Sequence, residues 1–143
     1  MMNEVTMKRP RKQTVYERIS SLSEQLNEAS DQVSKHLADL EAFLNSKCPG
    51  VECWHVMTGG DNDDSEQVLL GWCKIQPHGW RLCVKLRNAK NEDDEHIGVL
   101  THSPRPIRIL AYSNLTGFLL QMEKQIAAAL ETVQSVMTTA IVN

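Results

Sequence analysis

The sequence predicts an α+β fold: a long N-terminal helix, a three- to four-stranded antiparallel β-meander and a C-terminal helix, in the order α-β-β-β-(β)-α. Three observations carry this. Apolar residues recur at steps of three and four from Val15 to Leu44, the signature of an amphipathic helix. Residues 80–87 alternate strictly, with Trp80, Leu82, Val84 and Leu86 on one side and Arg81, Cys83, Lys85 and Arg87 on the other, the period of a strand. A second helical stripe runs from Leu115 through Phe118, Leu119, Met122, Ile126, Ala129, Leu130 and Val133 to Met137.

Residues 1–13 carry Lys8, Arg9, Arg11 and Lys12 around Pro10 without periodicity, and are expected to form a flexible basic tail. Residues 14–143 are expected to form a single α+β domain, since 143 residues suffice to bury a core without staples. Thr14 followed by Glu17 is a capping box that opens the first helix. Pro49-Gly50 forbids its continuation, so it should end near Asn45. Thirty residues make a rod of about 45 Å, as long as a domain of this size is wide. The spacing of Val15, Ile19, Leu22, Leu26, Ala29 and Val33 suits a coiled-coil seam. The step of four from Val33 to Leu37 then rotates the stripe. Self-association, as a homodimer, is therefore expected through Ile19, Leu22, Leu26 and Val33.

Val51 to Met57 reads as the first strand, Gln67 to Ile75 as the second and Trp80 to Arg87 as the third. Turns are expected at the Gly59-Gly60-Asp61-Asn62-Asp63-Asp64 stretch and at Gln76-Pro77-His78-Gly79. Asn88 to His96 reads as an acidic loop and Ile97 to Leu100 as a short strand. Ile107 to Ala111 reads as an edge strand, because Pro104 and Pro106 exclude a central one. Ser113 or Asn114 should cap the final helix.

A four-residue turn at 76–79 sets Ile75 opposite Trp80 and Cys73 opposite Leu82. The other face then gathers Leu70, Trp72 and Lys74 with Arg81, Cys83, Lys85 and Arg87, and Arg108 extends it from the last strand. The candidate binding residues are thus Trp72, Lys74, Arg81, Lys85, Arg87 and Arg108. A tryptophan among cations is a surface on which single-stranded bases stack. The same face also suits the first helix, which carries six carboxylates against Arg18 and Lys35 between residues 14 and 44. Its stripe would lie on Leu70 and Trp72, with the cations reaching its acids.

Chemistry-bearing motifs are sparse. Cys48, Cys53, Cys73 and Cys83 are spaced 5, 20 and 10 residues apart, unlike paired zinc knuckles. The run from Asp61 to Glu66 fails the calcium-loop template, with Glu66 where glycine is required and Trp72 at the twelfth position. Gly59-Gly60 precedes acid, which repels phosphate. Among His36, His55, His78, His96 and His102, none sits in a recognisable nucleophile motif, and His55 near Cys53 comes nearest to one. No catalytic residue, metal or cofactor is assigned.

The tail lacks an apolar core for a signal peptide and no run approaches the length of a membrane span. The protein is expected in the cytoplasm, with reduced thiols and no membrane partner. The function expected is that of a non-enzymatic interaction or regulatory protein with a protein partner. Two alternatives stand beside it: a nucleic-acid-associated regulator using the basic tail and the sheet face, and a small enzyme or metal protein centred on Cys53 and His55. The net charge of −3 weighs against dedicated nucleic-acid binding.

Overall fold

In the computed structural model, residues 12–59, 66–88 and 91–142 are described. The elements are α1 (Val15–Lys47), β1 (Cys53–Thr58), β2 (Glu66–Ile75), β3 (Gly79–Asn88), β4 (Asn91–Val99), a 3-10 turn (Leu100–His102), α2 (Arg105–Ser113) and α3 (Leu115–Val142). The four strands form one antiparallel sheet in the order β1-β2-β3-β4. The chain divides within α1 into two units, residues 1–32 and 33–143. The tail expected at 1–13 lies outside the described residues, apart from Lys12 and Gln13.

In the first unit, Thr14 Oγ1 accepts the Glu17 backbone N–H at 3.1 Å, so the cap forms where the sequence places it. Arg18 adds a bond from its guanidinium to the Gln13 carbonyl, 2.7 Å.

In the second unit, helices lie on one face of the sheet. Leu37 and Leu44 of α1, Ala111 of α2, and Phe118 and Met122 of α3 are buried against Cys53, Leu70, Trp72, Leu82 and Val84. All five of those sheet residues share a face, because Cys53 pairs with Trp72, Trp72 with Leu82 and Leu70 with Val84. Trp72, the largest fully buried side chain, donates its indole N–H to the Cys48 carbonyl at 2.9 Å, removing the cost of an unpaired buried donor.

Side chains cap backbone groups on β1 and on the part of β3 that β4 does not reach. Gln121 and Gln125 on α3 donate to the edge carbonyls of Trp54, at 2.6 Å, and Glu52. On β3, beyond the last residue paired with β4, Glu41 accepts the Leu82 N–H and Asn45 donates to the Trp80 carbonyl. These groups would otherwise be open to a foreign strand.

Three expectations are corrected. Residues 107–111 belong to helix α2, not to a strand. Pro104 and Pro106 pre-set the backbone of a helical first turn, and Ile107 and Ala111 then fall four apart on the inward face. The acidic segment read as a loop is largely β4. As an edge strand it tolerates charge, and its Glu95 pairs across from Arg87, an opposite-charge pair that favours the register. Finally, the β2–β3 turn is one residue shorter than expected. Ile75 pairs with Gly79, which takes φ 78°, the left-handed conformation glycine adopts cheaply.

Candidate interaction surfaces

That one-residue difference redistributes the candidate binding residues, since a slip of one turns a strand's side chains to the opposite face. Trp72 and Lys74 are on the helix-covered face, Trp72 fully buried and Lys74 exposed near its end. Arg81, Lys85 and Arg87 are on the other face, across from Cys73, Leu69 and Gln67. Arg108 lies on α2 and donates to Ser34 Oγ at 2.7 Å. The six residues therefore do not form one patch.

The aromatic that accompanies the cations is Trp54, whose Cα partner is Gly71. A β-carbon at position 71 would collide with the Trp54 ring, so the ring lies across the glycine. Lys85 Nζ stands 4.1 Å from the ring centroid, a cation–π contact. Contacts with Gly71 and Lys85 occupy the ring surface that a stacked base would need. The cations themselves are engaged. Arg81 lies 2.9 Å from Glu41 and donates to Thr101 Oγ1 at 3.1 Å. Arg87 donates to Gln67 Oε1, and Lys85 lies 4.0 Å from Glu95. Trp54 left one signal in the sequence: a glycine inside a strand marks a close approach, and Gly71 is that glycine.

Cys53 and His55 share the covered face of β1. Cys53 is buried, and burial pushes its thiol above the ordinary range, which leaves it a poor nucleophile. His55 Nδ1 is 3.2 Å from Gln121 Oε1, and a β-carbon on Gly117 would come within 2.9 Å of the imidazole. The histidine thus packs under the first turns of α3. Cys73 and Cys83 lie on the opposite face, both buried, with thiols pushed up chiefly by desolvation, and the Cys83 thiol donates to the Arg81 carbonyl at 3.4 Å. Among the described residues no three metal-ligating side chains converge.

No family model matches this chain, nor does any curated protein or solved structure. The arrangement of its own residues is what informs function.

The exposed apolar residues concentrate on two helical stretches. On α1, Val15, Ile19, Leu22 and Leu26 are 57%, 58%, 63% and 46% exposed, whereas Val33 is half-buried against the core cluster. On α3, Leu130, Val133, Val136, Met137 and Ile141 are exposed, and no residue past Ile126 is buried among those described. An open apolar groove of about 410 Å³ lies between the last turns of α1 and the middle of α3, walled by Phe43, Leu44, Cys48, Leu119, Met122 and Ile126. Among the described residues, no helix is long and apolar enough to cross a membrane.

Proposed function

We propose that this is a non-enzymatic interaction protein that self-associates through the N-terminal part of α1 and serves as an adaptor or regulator for a protein partner in the cytoplasm. One observation carries the reading: Val15, Ile19, Leu22 and Leu26, spaced as a seam, are each about half exposed or more. A contiguous apolar stripe of this kind marks an interaction surface. Eight such side chains, four from each copy, contribute roughly 1 kcal/mol each on burial. That total, about 8 kcal/mol, is the scale of a micromolar complex before the cost of association is subtracted. A reversible dimer with a dissociation constant between the micromolar and the submillimolar range is therefore expected.

The nucleic-acid alternative has less to rest on. Trp72 lies in the core, Trp54 is engaged by Gly71 and Lys85, and Arg81, Lys85 and Arg87 already have partners.

Sedimentation equilibrium on the full chain across a concentration series tests the proposal. A monomer–dimer equilibrium is expected. The double substitution Leu22→Glu with Leu26→Glu should yield a monomer with an unchanged circular dichroism spectrum. A parent chain that stays monomeric into the submillimolar range overturns the reading.

A further inference from the structure

We infer that the α1 helices of two copies pair antiparallel, about a twofold axis level with Glu24, an inference that rests on the self-association proposed above. On the heptad set by Ile19 and Leu26 at a, the d positions are Val15, Leu22 and Ala29, and Glu17, Glu24 and Asp31 fall seven apart on the outermost face. The carboxylates of this stretch thus point away from the seam. Beside it stand Tyr16, Arg18, Ser23, Gln25, Ser30 and Gln32, with Arg18 the one charge in that set and Ser30 its one buried member. A second copy meets no like-charge barrier along these flanks, whichever way it runs.

Orientation is decided by the seam and by what precedes it. In a parallel pair each residue faces its own copy, so Ala29 would face alanine and leave a thin layer. An antiparallel pair sets Leu22 against the partner's Leu26 and Ile19 against the partner's Ala29. No layer is then made of two alanines, and the same contacts repeat across the axis, as an isologous interface requires. The second argument is electrostatic. Lys8, Arg9, Arg11 and Lys12 lie just before α1. Parallel pairing gathers two such sets at one end, where like charges within a Debye length repel. Antiparallel pairing sends them to opposite ends.

The test is disulfide trapping in the full chain carrying Cys48→Ser, with Arg18→Cys on one copy and either Gln32→Cys or Ser23→Cys on a differently tagged copy. All three sites are exposed, so the substitutions leave the fold in place, and circular dichroism confirms this for each. In the antiparallel pair, position 18 flanks position 32 of the partner; in a parallel pair it flanks position 23. The expected result is a linked heterodimer for the 18/32 mixture and severalfold less for 18/23. The opposite preference overturns the orientation but leaves self-association standing. A dimer that links in neither mixture overturns the inference by placing the interface elsewhere. A monomer in sedimentation overturns both this inference and the function it rests on.

Discussion

Glu41 does for Leu82 what a neighbouring strand would do. Its Oε2 accepts the Leu82 backbone N–H at 2.8 Å, in the part of β3 beyond the Cys83–Val99 pair that ends the ladder with β4. The same oxygen lies 2.9 Å from Arg81 Nε. A helix is thereby fixed to a sheet edge by a largely buried carboxylate, which needs both a donor and a countercharge to be tolerated there.

Removing that carboxylate should be costly. Glu41→Ala leaves a buried N–H without its acceptor and Arg81 without its countercharge, an expected loss of about 3 kcal/mol. Glu41→Gln keeps an acceptor for Leu82 and should lose roughly half as much. Urea midpoints of the two variants check this. Equal losses would mean that the charge, rather than the edge hydrogen bond, is what matters.

The Trp54–Gly71 contact makes a sign-reversing prediction. Gly71→Ala places a methyl group where the Trp54 ring lies and should destabilise by about 1–3 kcal/mol. In a Trp54→Ala background the obstacle is gone. Alanine is intrinsically better than glycine in a strand by roughly 0.5–1 kcal/mol, so the same change should then be neutral or stabilising. A double-mutant cycle measures the coupling. Additive costs would show that the ring does not depend on the glycine.

Burial of the thiols sets a pH dependence. Cys53, Cys73 and Cys83 are all raised from an ordinary value of 9.0, chiefly by desolvation. As pH climbs past about 9, the unfolded chain releases these protons while the folded chain holds them. Stability should therefore fall with rising pH. Cys83→Ala should flatten the fall, measured by denaturation from neutral pH to alkaline conditions. In the native state a thiol reagent should modify the half-buried Cys48 well before the other three.

The parts of this fold legible in the sequence are those with a strong period. The capped start of α1, the inward face of β3 and the Phe118–Met122 stripe follow directly from spacing. Errors arose where one residue type has two structural uses. Pro104 and Pro106 mark an edge strand or open a helix, and only tertiary packing of Ile107 and Ala111 separates the two. The acids of β4 suit a loop or an edge strand, and the choice depends on cations in β3. The turn at 76–78 cost most, since one residue of loop length separated Trp72 from Arg81, Lys85 and Arg87, although the expected cover of Leu70 and Trp72 by the first helix is what Leu37 and Leu44 provide. Residue size pointed the right way: Leu70 and Trp72 are bulky, Gly71 and Cys73 small, and bulk goes inward. The Trp54 contact depends on register, which periodicity within a strand does not encode.

The far half of α3 should be dispensable for the fold and for pairing through α1. From Leu130 to Ile141 its large apolar side chains are 54% to 82% exposed, so they add little burial to the second unit. The last cation of α3 is Lys124, and a helix end without basic residues lacks the charge that draws amphipathic helices to anionic membranes. Deleting residues 129–143 should therefore cost less than about 1 kcal/mol, a change typical of surface positions. Ellipticity should drop in proportion to the helix removed, while the monomer–dimer equilibrium stays where it was. A dimer lost on truncation would move the interface from Ile19, Leu22 and Leu26 to Leu130, Val133 and Met137. An unchanged dimer that dissociates on Leu22→Glu would assign it to α1.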